Sequence, residues 1–359
     1  HLADLIHEAP NVTLSAIFAP EHGFRGFVEA GDSVDDGVDI KTGVPVISLY
    51  GNTRKPTRAM LRKIDVLVFD IQDVGVRFYT YISTMGLAMQ AAAAANIPFV
   101  VLDRPNPLGG EYVSGFVRRA SLKSFVGQYP IPIVHGLTVG ELAQMIKGEK
   151  WLKGLDQLQL SIIKMRAWNR STRWHNTRRR WVATSPNIPT FESALVYPGM
   201  GLVGLTRVNE GRGTRSPFSL FGSTWFDGVR MAEHLNARRL PGVTFKVETY
   251  TPRSIKGVAA RPLFKGRRLK GVRLVVNDIE HFEPLEIGIQ VLTALAAEAR
   301  GDRRVRLFAD LPMFHLLAGT KTLHRMLVTG KSAEEIIASW QDEVAKFKRM
   351  RRRYLLYRG

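Results

Sequence analysis

Three short stretches carry the residue types that acid–base chemistry and anion binding require. Pro20-Glu21-His22-Gly23-Phe24-Arg25-Gly26 sets a carboxylate and an imidazole side by side between a proline and a glycine, with an arginine three residues on. Asp70-Ile71-Gln72-Asp73-Val74-Gly75-Val76-Arg77-Phe78-Tyr79-Thr80-Tyr81 holds two carboxylates, an arginine and two tyrosines. Asp103-Arg104-Pro105-Asn106-Pro107-Leu108-Gly109-Gly110 repeats the pairing of carboxylate and arginine. Carboxylates act as general acids and bases when burial and neighbours push their pKa values apart. Glycoside cleavage uses that arrangement, with a protonated acid on the leaving oxygen and a second group across the sugar. Arginine binds a substrate carboxylate bidentately. Each element also has a plain structural alternative: a satisfied histidine, Asp70 capping a turn, Asp73 and Arg77 as an ion pair. On residues alone the reading is a hydrolase or binder of an acidic, polar ligand.

Each stretch directly follows a candidate strand. The apolar runs Val12 to Phe18, Val44 to Tyr50, Asp65 to Asp70 and Pro98 to Leu102 alternate with helical spacing over Lys55 to Lys63 and Thr80 to Ala95. Thr138 with Glu141 three residues later is the pattern of a capping box and starts another helix. Apolar strands alternating with helices imply a parallel sheet covered on both faces. In such a sheet ligands bind beyond the carboxyl ends of the strands, so the three stretches are expected at one edge, forming one polar cleft. Farther on, the Arg-rich run 169–180 reads as a surface loop, and 185–214, rich in Pro, Gly, Asn and Thr, as a long ordered loop or crossover. Val243 to Thr249 and Val272 to Asn277 read as strands, Pro284 to Ala297 and Ser332 to Phe347 as helices. A packed terminal helix is expected at the basic tail.

The chain has 359 residues, enough for two domains at ~100–200 residues each. Its 45% hydrophobic and 23% charged content excludes a disordered or collagen-like chain. Fifty-one Lys and Arg against 32 Asp and Glu give a formal charge of +19. That points to an anionic partner; a nucleic-acid reading would rest on charge alone, since no nucleic-acid motif is present. Cysteine is absent, which removes thiolate nucleophiles and Cys-ligated metals. There is no G-x-G-x-x-G, phosphate loop, H-E-x-x-H or nucleophile elbow, so neither a cofactor nor a metal is indicated. No run reaches the ~18–20 apolar residues of a membrane span, and no signal segment is present.

Seven segments, in order along the chain, resemble the exo-β-N-acetylmuramidase family, glycoside hydrolase family 171. They are P-E-H-G-F-R-G (20–26), F-D-I-Q-D-V-G-V-R-F-Y-T-Y (69–81), V-L-D-R-P-N-P-L-G-G (101–110), F-V-G-Q-Y-P-I-P-I-V-H-G-L-T-V-G-E (125–141), S-P-N-I-P-T-F-E-S-A-L-V-Y-P-G (185–199), E-G-R-G-T-R-S-P-F (210–218) and Y-L-L-Y (354–357). The resemblance implies an α/β fold: a Rossmann-like parallel-sheet domain without a nucleotide over 1–185, then a smaller α+β domain over 186–359, with the site between them. It implies release of N-acetylmuramic acid from the non-reducing end of peptidoglycan fragments, without metal or cofactor. A further strand ahead of His1 and a periplasmic or extracellular setting are expected on the same ground.

Under this reading Glu21 is the first choice for catalytic acid or nucleophile, with His22 tuning or positioning it, and Asp73 or Asp70 is the second carboxylate. Arg77, Arg104 and Arg212 are candidates for the lactyl carboxylate of the sugar. Asp103, Asn106, Asn187 and Glu210 would bond its hydroxyls or acetamido group, and Arg25, Tyr79 and Thr214 complete the expected substrate contacts. A mechanism using the substrate's own acetamide as nucleophile is the alternative to two carboxylates. The chain departs from the family pattern at Ser114 and Gly204, where acidic residues are expected. The alternative function is a weak or inactive relative that binds anionic glycans.

Overall fold

The computed structural model describes residues 1–26, 28–302 and 304–359. Near the start, helix α1 (Leu2–Glu8) precedes a small sheet of β1 (Ile17–Ala19), β2 (Gly37–Val38) and β3 (Pro45–Ser48), in the order β1-β3-β2. Strand β1 runs parallel to β3 and β2 antiparallel to it. The next sheet is all parallel, in the order β4-β5-β6, from β4 (Leu67–Phe69), β5 (Phe99–Leu102) and β6 (Leu160–Ile163). Helix α2 (Tyr81–Ala95) links β4 to β5, and α3 (Val139–Gly148) precedes β6. This is the α/β arrangement that the alternation of strands and helices implied.

Local chemistry explains these elements. The Ala- and Met-rich run of α2 has high helix propensity and buries Ile82, Met85, Met89 and Ala92. Asn96, left-handed at φ 56°, ends it. In α3 the Thr138 hydroxyl accepts from Glu141 N while the Glu141 carboxylate accepts from Thr138 N, so the capping box forms as expected. Lys55 to Lys63 forms turns instead of a helix. The Thr53 and Thr57 hydroxyls bond nearby backbone there, offering the chain an alternative to helical pairing.

The expected long loop over 185–214 contains a helix, α4 (Phe191–Val203), capped by Thr190 and carrying Pro198 inside. Its Pro and Gly residues disguise it in the sequence. The glycines serve a close crossing: a Cβ on Gly199 would lie 2.6 Å from the Gly288 Cα. Gly288 belongs to α6 (Pro284–Gly301). Around that contact Leu195, Met200 and Leu202 are buried, each worth about 1.5–3 kcal/mol of apolar transfer.

The later half adds an antiparallel sheet in the order β7-β9-β8, from β7 (Leu220–Phe221), β8 (Val243–Tyr250) and β9 (Leu269–Val276), with α5 (Gly228–Ala237) packed on it. Helices α7 (Leu311–Ala318), α8 (Thr322–Val328), α9 (Ala333–Ala338) and α10 (Gln341–Arg351) complete the chain. The single helix expected over Ser332 to Phe347 is thus broken at Ser339-Trp340, where the buried Trp340 ring packs edge-on against Phe116. The tail returns to the parallel-sheet half: Arg351 donates to the carbonyls of Gly110, His135 and Gly136, and Tyr357 to Asp103. Among the described residues no helix is long and apolar enough to cross a membrane.

Candidate active site

A cleft with an empty volume of about 590 Å³, mouth included, draws its wall from both halves of the chain. The loop after β1 contributes Glu21, His22 and Ala30; the segment entering α2 contributes Phe78, Tyr79 and Thr80. The approach to α4 supplies Ser185, Asn187 and Ile188, α4 itself Tyr197, the loop before β7 Arg212 and Phe218, and α7 Leu317. Among the described wall residues Glu21 is the one carboxylate and Arg212 the one guanidinium.

The turn that presents Glu21 is tightly held. Gly23 N donates to Pro20 O, and His22 sits in the left-handed region at φ 73°. That conformation costs a non-glycine residue about 1–3 kcal/mol and clusters at functional sites. The His22 carbonyl accepts from Val28 N at 3.1 Å, and its ring Nδ1 lies 2.8 Å from Val28 O. A carbonyl can only accept, so Nδ1 carries the proton and Nε2 is left with a free lone pair. Burial lowers the His22 pKa; the Val28 bond and the Glu21 charge oppose that shift.

Glu21 itself is buried, at 7% exposure. Its Oε1 accepts from Gly31 N at 3.0 Å and its Oε2 from the Thr80 hydroxyl at 2.5 Å. Tyr50 stands beside the same group; burial, then the Glu21 charge and hydrogen bond, push its hydroxyl up to about 12. These two contacts fix the orientation of the carboxyl group.

Across the cleft, Arg212 pairs with Glu210 and stacks 5.0 Å over the Phe218 ring. Tyr197 packs edge-on against Phe218 and Phe78, at 4.9 and 5.3 Å between ring centroids. The Tyr79 hydroxyl, by contrast, is taken up by Thr184 Oγ1 at 2.8 Å. Asn187 reaches the wall while its amide donates to Val258 O at 2.6 Å.

Several expected site residues are elsewhere. Strand β1 lies in a different sheet from β4 and β5, so the three carboxylate–arginine stretches do not share one edge. Arg77 is fully buried and off the cleft wall; its Nη atoms donate to the carbonyls of Phe116, Ile131 and Leu317, and its Nε is unpartnered. Burial lowers its pKa to about 9. Arg104 pairs with Asp70 at 2.6 Å. Asp103 accepts from Thr138, Gly140, Arg104 N and Tyr357. Asn106 bridges Leu137 O and Leu108 N. Arg25 is clamped on Asp39, and Thr214 closes a turn through Gly211 O and Ser216 N. Asp73 is buried outside the wall, with Oδ2 on Gly75 N and Oδ1 unpartnered; burial pushes it up to about 7. Glu210 is also outside the wall, reaching the site through Arg212.

The two departures from the family pattern fall outside the wall as well. Ser114 and Tyr112 donate to Glu286. A Cβ at Gly204 would lie 3.2 Å from the Glu210 carboxyl carbon. The residues that sequence reasoning missed are chiefly Phe78, Ser185, Ile188, Tyr197 and Phe218. Tyr197 was legible only as the one polar ring in S-A-L-V-Y-P-G, and reading that stretch as loop removed its helical phase. Among the described residues no group of three or more His, Asp or Glu is placed to hold a metal.

Comparison with known proteins gives one consistent result. Residues 1–192 match the family described as "Exo-beta-N-acetylmuramidase NamZ, N-terminal", and residues 195–357 its C-terminal counterpart. The chain is 43% identical over 354 residues to the "Peptidoglycan beta-N-acetylmuramidase NamZ" of Bacillus subtilis (strain 168), covering 99% of this chain and 82% of that protein. Among solved structures, a DUF1343 family protein from Bacteroides fragilis NCTC 9343 superposes with a TM-score of 0.88 at 39% identity, over 99% of this chain and 89% of that one. A second DUF1343 protein of the same organism gives 0.76 at 38% identity, over 100% and 90%.

Proposed function

The chain belongs to the exo-β-N-acetylmuramidase family, and from that premise we propose that its cleft removes N-acetylmuramic acid from the non-reducing end of peptidoglycan fragments. The observation that carries the assignment to this cleft is its wall chemistry: one buried carboxylate, one guanidinium and one imidazole nitrogen, set among aromatic rings. Muramic acid is a sugar with a single carboxylate, on its lactyl group. Arg212 is the wall group able to bind that carboxylate bidentately. The Tyr197 and Phe218 rings offer apolar faces to the pyranose.

Glycoside cleavage passes through an oxocarbenium-like state. Glu21, oriented by Gly31 and Thr80, gives its proton to the leaving oxygen as the glycosidic bond breaks, and the carboxylate left behind stabilises that state. His22 fixes the turn that aims Glu21, and its Nε2 is free to take the proton of the attacking water. Asp70 and Asp73 do not line the wall, which favours the substrate's acetamide over a second carboxylate as the internal nucleophile. The expected division into residues 1–185 and 186–359 belongs to the same reading, supported by wall residues coming from both sides of that boundary.

A chromogenic β-glycoside of N-acetylmuramic acid tests this directly. Wild type releases the aglycone; Glu21→Gln does not, and melts at the same temperature. Saturable binding of the glycoside by wild type without release would make the protein a glycan-binding module instead.

A further inference from the structure

Two surface loops meet at the cleft and carry charge that no internal contact uses. One runs from Arg178 toward α4, the other from β8 to β9. The Trp181 indole donates to the carbonyl of the wall residue Ile188, and Arg178, Arg179 and Arg180 immediately precede it, all exposed. The tip of the second loop is anchored twice beside the cleft: Val258 O accepts from the wall residue Asn187, and Ala260 N donates to Glu29, next to the wall residue Ala30. Lys256 and Arg261 flank those anchors and are exposed. None of these five cations has an ion-pair partner among the described residues. Neither 178–190 nor 250–270 contains an Asp or Glu.

Unpaired like charges repel, and gathering them at one mouth costs stability unless an anion comes to them. We propose that this basic rim binds the part of the glycan that remains after cleavage: a peptide-free chain carrying a free lactyl carboxylate on every second sugar. The proposal rests on the muramidase reading and extends it from the cleaved sugar to the chain behind it. The terminal sugar occupies the cleft, and the leaving chain runs out over Arg178–Arg180 and Lys256/Arg261. The substrate is then a polyanionic glycan strand, and the rim raises its local concentration at the cleft through a salt-sensitive attraction.

The test compares three probes: the chromogenic muramic acid glycoside, a peptide-free strand of alternating N-acetylglucosamine and N-acetylmuramic acid, and an uncharged N-acetylglucosamine oligomer of equal length. The ratio of kcat/KM on the strand to kcat/KM on the glycoside should fall about tenfold in the triple variant Arg178→Glu, Arg179→Glu, Arg180→Glu, and again in Lys256→Glu with Arg261→Glu. Added salt should lower that ratio in wild type and leave it flat in the variants. Strand binding by fluorescence anisotropy should exceed that of the uncharged oligomer in wild type only. A ratio that survives both charge reversals, or equal binding of strand and oligomer, overturns the proposal. A wild type that fails to cleave the glycoside sinks the muramidase reading instead, and the anisotropy comparison still decides the rim.

Discussion

Two clusters of this molecule are built from the same residue types and do opposite things. The ends of β4 and β5 hold Asp70, Asp103, Arg104 and Asn106; the cleft holds Glu21, His22 and Arg212. In the first, most of the polar atoms are spent inside the protein. Asp103 alone ties together β5, the start of α3 and the tail at Tyr357. In the second, hydrogen bonds orient the groups and leave acceptors over, such as His22 Nε2. Polar residue types at strand ends therefore do not identify a site. What separates function from scaffold is whether valence remains after the fold has taken its share.

The sharpest way to break that distinction is at Glu21. Glu21→Gln keeps the size and the hydrogen-bond partners but can no longer give or take a proton, and should lower kcat about 10³-fold with the melting temperature held. If activity survives, the cleft is not where the bond breaks. Arg212 comes next. Arg212→Lys keeps a cation but not the fork, and should lower kcat/KM on the muramic acid glycoside about 10–100-fold. Preference over the matching N-acetylglucosamine glycoside, which lacks the lactyl group, should shrink by a similar factor. An equal loss on both sugars would assign Arg212 to the scaffold.

The same distinction explains what was legible in the sequence. The parallel βαβ half was readable because β4, β5 and α2 are uninterrupted apolar or Ala-rich runs, and because Thr138 and Glu141 form a purely local signal. Glu21 and His22 were readable because Pro20 and Gly23 announce a turn straight after a strand. The Asp103 and Arg77 networks were not, because their partners are Tyr357 and Leu317, hundreds of residues away. Residue type showed that these groups are polar and near a strand end; only tertiary contacts show that the Asp103 oxygens and the Arg77 Nη atoms are taken. Helix α4 was hidden for a related reason. Pro198 and Gly199 read locally as breakers, while the Gly199–Gly288 crossing that requires a glycine is long-range.

Asp103 sharpens the comparison from the scaffold side. Asp103→Ala strands the donors of Thr138, Gly140 and Tyr357 in a buried setting and should cost about 2–4 kcal/mol of stability. Chemical denaturation measures the loss. Turnover per folded molecule should stay within a few-fold of wild type, since Asp103 does not line the cleft. A collapse of kcat in a folded variant would move the strand-end cluster into the site.

Asp73 lies between the two cases and gives the smallest expected effect. It is buried, off the wall, with one oxygen on Gly75 N and the other unpartnered. Burial raises its pKa from 3.8 to about 7, so between those values the folded state holds a proton that the unfolded state has released. The stability this contributes is therefore complete below pH 3.8, declines as pH rises, and is gone above about 7. Asparagine is neutral throughout and keeps the acceptor facing Gly75. Asp73→Asn should thus be most stabilising relative to wild type near pH 8, with the difference shrinking steadily toward pH 4. Thermal melts of both proteins across that range follow the divergence, while aglycone release at pH 7 should change less than about threefold, far short of the ~10²–10⁴-fold that loss of a catalytic acid or base costs. A pH-independent gap between the melts would mean that Asp73 is already ionised in the fold. A thousandfold loss of turnover would restore it as the second carboxylate and withdraw the acetamide from the mechanism.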